Sequence, residues 1–482
     1  MAVIGQLRGG GWSRAVRIAA PLGALVVEGW PALVGALLVQ EGGLWVAGRL
    51  SGTCQQSLLK RIFLAAYGLR VAIALPTHYI AKLGDGNGAL FRDDYTNDLV
   101  GEWLVRIARG DGTVSIFPGH QYLLDSAYTY LVMAIYALFG YAPLLPKLLN
   151  IGLAALSAVL IFEIARKIFS TRAAVLAAVG AAILPSLLVW SVATLKETLV
   201  LFTSLMALWL VQFLSTADRR DRRFMDALVA LLAVELLLLD LRSTIAAVVV
   251  GLVAIVYFAR SHFDRRWWQT ALAAVIVLGV VSTGLLVVRS RSSDRPLSAV
   301  FEDAALQIRH RRAQEAASAR TQLRPELEVI SPTGSSGLPA AEAASDAAPF
   351  SVISDVVDPL GYALFAPAPW QAESPAELAA SAEMPIWYVL LAASLFAWRA
   401  APRQRLFVCC LVAYGIANWL ILAAVEGNLG NLLRHRLTLD ACLLILGGAG
   451  LEWMWMRVAR SATALTYPDS AAARSPVPQP RR

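Results

Sequence analysis

The chain is 482 residues long, 57% hydrophobic and only 16% charged, with a formal net charge of +8. A soluble chain carries about 25% charged residues to face water, so a surface this poor in charge must face lipid, which excludes a soluble enzyme, a disordered regulator and a secreted disulfide scaffold. The positive balance, mostly arginine, fits the basic cytoplasmic loops of a membrane protein and requires no nucleic acid.

The first apolar stretch, 15–50, is flanked by Arg14, Arg17, Arg49 and Lys60 and interrupted by Glu28-Gly29-Trp30-Pro31, where Gly and Pro break a helix. Residues 1–60 therefore read as a hairpin that dips in from the cytoplasm or lies in the interface, with a true spanning pair as the alternative. No cleavable signal peptide is visible. A crossing needs about 20 apolar residues, and the candidates after the hairpin are 61–81, 122–140, 145–165, 172–191, 196–215, 225–240, 243–260, 268–289, 385–399, 405–424 and 436–456. Arg166 to Arg172, Arg219 to Arg223, Arg260 to Arg266, Arg399 to Arg405, and Arg457 with Arg460 are each two spans apart, so they share one side, the cytoplasm. The first span also starts inside only if one early candidate does not cross. Segment 122–140, with Asp125, Ser126 and several tyrosines, suits an interfacial helix on the external face.

Ten crossings remain, in an all-α polytopic protein: a core over 61–289 that includes the first external loop, a long external loop over 290–384, closing spans over 385–456, and a disordered tail over 457–482. In the long loop, 298–328 reads as an amphipathic helix, 331–348 as flexible, and 350–370, ending in Trp370, as a segment lying along the outer interface. Cys54, Cys409, Cys410 and Cys442 show no ligand spacing and read as buried small hydrophobes.

Asp93-Asp94-Tyr95, followed by Asp98 and Glu102, sits in the first external loop. A solvated loop or the N-cap of a helix over 95–109 would explain the pair. Lys82, Arg92, Lys147, Lys196, Arg242, Arg434 and Arg436, however, lie at the outer ends of spans, where cations are normally depleted. Snorkelling to headgroups explains about half of such cations. The rest suit a phosphate at headgroup depth, and a nearby aspartate suits the removal of a hydroxyl proton. Arg70, in mid-span, pairs with a carboxylate such as Glu235 on this reading. His120 opens the interfacial helix, where a lone histidine reads as a helix-end hydrogen-bonding residue. No His/Cys cluster indicates a metal, and no Walker or GxGxxG loop is present.

Four stretches carry a family resemblance: Arg92-Asp93-Asp94-Tyr95; Tyr130 to Asn150 leading into Phe162 to Phe169; Pro185 to Glu197; and Arg434-His435-Arg436. In this order they resemble the GT-C superfamily of membrane glycosyltransferases, which take sugars from polyprenyl-phosphate carriers. The likeness covers 61–260 and, more loosely, the last hundred residues. It departs from the family where the common Asp-Glu is Asp-Asp, where a His-Pro-Pro sequence is His120-Gln121-Tyr122, and where no folded C-terminal domain is visible.

The resemblance implies an inverting transferase in the plasma (inner) membrane, with its site on the external, periplasmic face. Asp93 or Asp94 would be the base. Lys196, Arg242, Arg434, Arg436 and Lys147 would hold the donor phosphate, and Tyr95, Asp98, His120 and Glu197 would orient the acceptor. The implied partners are a polyprenyl-phosphate-linked sugar, a lipid or glycan acceptor and the bilayer. No cofactor is indicated, and a divalent metal stays open. A lipid-linked polysaccharide polymerase or ligase and a non-enzymatic flippase are the alternatives.

Overall fold

The computed structural model describes residues 11–50, 55–85, 87–114, 124, 126–218, 220–262, 360–368, 370, 378, 380–400, 402–426 and 429–466. The expected span at 268–289, the segments 298–328 and 331–348, Cys54 and His120 lie outside them. The described residues form helices and no strands. In chain order these are α1 (Gly11–Glu28), α2 (Trp30–Arg49), α3 (Gln56–Asp85), α4 (Arg92–Ala108), α5 (Ala127–Phe139), α6 (Leu144–Ile168) and α7 (Thr171–Ile183). They continue as α8 (Pro185–Ser191), α9 (Glu197–Thr216), α10 (Arg222–His262), α11 (Met384–Ser394), α12 (Arg405–Val425), α13 (Leu429–His435) and α14 (Leu437–Thr466).

Five of these, α2, α6, α9, α12 and α14, are long and apolar enough to cross a membrane, and α7 with α8 makes a sixth if the bent pair is one span. The expectation of ten crossings therefore reduces, on that measure and among the described residues, to five or six. Helix α6 is apolar on all sides and buried along nearly its whole length, as expected of the centre of a bundle. Close packing depends on small residues: a Cβ on Gly450 of α14 would stand 1.8 Å from the Ala393 carbonyl oxygen at the end of α11.

The end of the bundle where α3 finishes and α6 begins is here called upper. Gly29 (φ 80°) breaks α1 from α2 where the sequence places the interruption. The pair runs the length of α3. At its tip Glu28 meets His78 (3.3 Å) and Lys82 (3.7 Å), and at its base Gly48 abuts Lys60. The 18 and 20 helical residues rise about 27 and 30 Å, lengths that also fit the spanning alternative, and of the two α2 is apolar enough to cross.

Helix α5 does not cross. Its 13 residues rise only about 20 Å. Its first amide donates to Asp240 (2.7 Å), and just past its end Leu144 N–H donates to Glu28 (2.6 Å), so both ends lie at the upper level. At the opposite end Arg403 N–H donates to the Ile168 carbonyl (2.8 Å), gathering the basic turns there.

Residues 360–368 turn Ala363, Ala366 and Ala368 inward, with the Leu360 carbonyl accepting from Trp419, and leave Phe365 exposed, as is Trp370 beyond them. Three further expectations are corrected. Residues 457–466 of the expected tail continue α14. Cys410 and Cys442 are buried, but Cys409 is exposed on the outer face of α12. Arg70 does not reach Glu235, whose carboxylate oxygens have no hydrogen-bond partner among the described residues.

Arg70 instead secures the break between α7 and α8. Pro185 has no N–H for the Ala181 carbonyl, and the Ser186 N–H turns away to Glu383 (2.6 Å). Arg70 donates to the two stranded carbonyls, Ala181 (2.8 Å) and Ala182 (3.4 Å), and to Ser191 Oγ (3.1 Å). The 52° bend carries the chain into the turn 192–196, where Thr194 meets Asp94 and Asn97.

Candidate active site

Helix α4 begins at Arg92, so Asp93 and Asp94 lie in its first turn, where carboxylates face the positive end of the helix dipole, and Phe91 is the N-cap. Adjacent residues on a helix point about 100° apart, and the two aspartates meet different surroundings. Asp94 is fully buried. One carboxylate oxygen accepts from Leu90 N–H (2.8 Å) and faces Lys147 Nζ (3.1 Å), while the other accepts from Thr194 N–H (2.8 Å). Lys147, equally buried, also donates to the Gly88 carbonyl (2.6 Å). The Asp94–Lys147 pair therefore fastens the first loop to α6 and to the turn before α9, and Asn97 adds a bond to the Thr194 carbonyl (3.1 Å).

Asp93 keeps 55% of its side chain exposed, and its carboxylate accepts from Arg434 Nη1 at 2.6 Å. The same guanidinium turns Nε toward Glu197 Oε1 (3.2 Å), which also draws Arg242 (3.8 Å) and His435 Nε2 (3.6 Å). Glu197 is buried, and its other oxygen has no partner among the described residues. Burial works against the charge of Arg434, but Glu197 and Asp93 more than offset it and hold the guanidinium firmly protonated. The Lys196 ammonium, half-buried beside them, has no hydrogen bond or ion pair among the described residues; burial lowers it, and Glu197 partly opposes that. Helical geometry stops at Arg242 (φ −161°, ψ 88°), which brings this side chain to the upper end from mid-sequence of α10.

The other expected residues divide. Tyr95 is exposed at the rim. Arg436 is wholly buried away from the cluster. It stacks over Trp387 (4.9 Å), donates to the Ala366 carbonyl (3.0 Å) and pairs with Asp440 (3.5 Å). Asp98 is buried behind Asp94 and accepts from the hydroxyls of Tyr136 and Tyr141 (the latter at 2.6 Å). Two residues without an expected role join the cluster: His435, through Nδ1, and Glu426 form a close pair. Burial would raise the Glu426 carboxyl, but His435 more than compensates and lowers it. The available signal was position alone, since Glu426 follows the apolar run of α12 and His435 sits between two arginines.

Burial pushes Asp98 up to about 6, against the pull of the two tyrosine hydroxyls. The folded protein thus binds this proton more tightly than the unfolded chain. The associated stability is full below the ordinary carboxylate range and is lost as pH rises through about 6. Asp98→Asn, which cannot ionise, is expected to melt higher than wild type at pH 7 and to lose that advantage only at about pH 3, below the ordinary carboxylate range. Thermal unfolding in detergent checks this, and a gap independent of pH would remove Asp98 as the titrating group.

The family model described as dolichyl-phosphate-mannose-protein mannosyltransferase matches residues 126–288. That range contains Lys147, Lys196, Glu197 and Arg242, and leaves Asp93, Asp94 and Arg434 outside it. No curated protein and no solved structure matches the chain.

Proposed function

We propose that this chain, a membrane glycosyltransferase of the GT-C superfamily, moves a sugar from a polyprenyl-phosphate donor to an acceptor hydroxyl on the external face of the plasma membrane. The observation that carries the reading is the pairing of an exposed carboxylate, Asp93, with Arg434 beside Arg242 and Lys196 at the upper end of an apolar helical bundle. The basic turns at the lower end support a cytoplasmic placement of that side and, with it, an external upper end.

The chemistry is a single displacement. The acceptor oxygen attacks the anomeric carbon and gives its proton to Asp93. The bond from that carbon to the phosphate oxygen breaks, and the polyprenyl phosphate leaves with the electron pair. Arg434, Arg242 and Lys196 offset the negative charge that grows on the departing phosphate. Inversion follows from a single attack opposite the leaving group. Asp93 is the base on this reading, since Asp94 has both oxygens engaged by buried donors.

The test is full-length protein in proteoliposomes supplied with polyprenyl-phosphate [14C]mannose and an envelope extract as acceptor. Label leaving the lipid for a glycan or protein, with polyprenyl phosphate released, is the expected result. Label that crosses the bilayer still attached to its lipid would overturn the reading in favour of a flippase. Arg434→Gln is expected to weaken donor binding by about tenfold or more, the scale of a charge-assisted bond.

A further inference from the structure

Arg434 faces two carboxylates of unlike character. Glu197 is buried at one edge of the guanidinium, and Asp93 is mostly solvent-exposed at the other. The guanidinium side chain is itself only 16% exposed. Its position is secured from behind, because the next residue, His435, is tied to Glu426 at the end of α12. A buried carboxylate deprived of its cation pays a heavy desolvation penalty, whereas an exposed ion pair is worth little. A phosphate that reaches Arg434 therefore displaces Asp93 far more readily than Glu197.

In this structure Nη1 of Arg434 lies 2.6 Å from one Asp93 oxygen, so the guanidinium covers that edge of the carboxylate. We propose that Arg434 masks the Asp93 carboxylate until the phosphate of a polyprenyl lipid takes its place on the guanidinium, so that donor binding itself releases the base. The inference rests on the reading of Asp93 as base and Arg434 as phosphate ligand. It adds that the two compete for one cation and that binding is ordered, donor before acceptor activation. Glu197 faces the Nε edge of the guanidinium as an ion pair at 3.2 Å, so the exchange involves only the Nη1 edge and needs no movement of α13.

Competition makes a prediction that a simple base does not. Removing the Asp93 charge frees Arg434, so Asp93→Asn is expected to bind undecaprenyl phosphate about two- to fivefold more tightly than wild type, the range an exposed ion pair is worth. Calorimetry on full-length protein in nanodiscs reads this directly. The gain is expected to disappear when Asp93→Asn is placed in an Arg434→Gln background. Should the Gln variant fail to fold, Arg434→Lys provides the background, and the gain is expected to shrink because an ammonium lacks the second edge of the fork.

Unchanged or weaker binding by Asp93→Asn overturns the mask. A gain of equal size without Arg434 overturns it too, by assigning the effect to the general field of the site. Retained transfer by Asp93→Asn is a separate failure: it removes Asp93 as base, while the competition for Arg434 is still judged by the binding data.

Discussion

Asp93→Asn is expected to lower turnover by roughly 10²–10⁴-fold, the contribution of a positioned general base, while the protein folds normally and still holds its donor. The side chain is mostly exposed, its ion pair among the described residues is to Arg434, and Asn preserves its shape without the charge. The fold therefore loses little, and the ability to receive a proton is lost altogether. A radiolabel transfer assay on purified protein, with thermal unfolding alongside it, separates the two effects. Near wild-type transfer would move the base elsewhere.

Asp94→Asn should fail in the opposite way. Asp94 answers two backbone amides and a buried ammonium at once, and an amide offers one accepting oxygen and a donor that faces donors. Lys147 would be left buried without its counter-charge, and breaking such a pair costs about 3–5 kcal/mol. The expected result is a large fall in thermal stability and poor accumulation in the membrane. The double variant Asp94→Asn/Lys147→Met is expected to recover part of the loss, because removing both charges avoids stranding one of them. A single variant that melts with wild type would show that the pair does not secure the first loop. Together the two aspartates form an internal control, with neighbouring positions in one helical turn separating catalysis from stability.

Much of the scaffold was legible because it follows from solvent and period. A charge content of 16% requires lipid around the chain. Apolar runs interrupted by basic turns locate α6, α7, α9 and α12, and Gly29 and Pro31 locate the break between α1 and α2. The short, tyrosine-bearing segment 122–140 reads as an interfacial helix, and within it α5 lies across the upper end. The depth of the hairpin is not legible, because charges at both ends of 15–50 are equally compatible with a dip and with a full crossing; the structure adds that its tip, Glu28, meets the top of α3.

The roles of individual charges follow a different logic. Nothing local separates Asp93 from Asp94; the distinction is that Thr194 and Lys147, distant in sequence, close around one and leave the other open. Arg434 and Arg436 look alike in the chain, yet one ends α13 facing Glu197 and the other is sealed against Trp387 and Asp440. Arg70 looked like half of an ion pair, but its partners are carbonyls exposed by a proline more than a hundred residues later. Hydropathy and helical period act along the chain and are carried by neighbours, so they can be read from the chain alone. The role of a charge depends on which groups share its desolvated space, and those groups meet it only when distant helices pack.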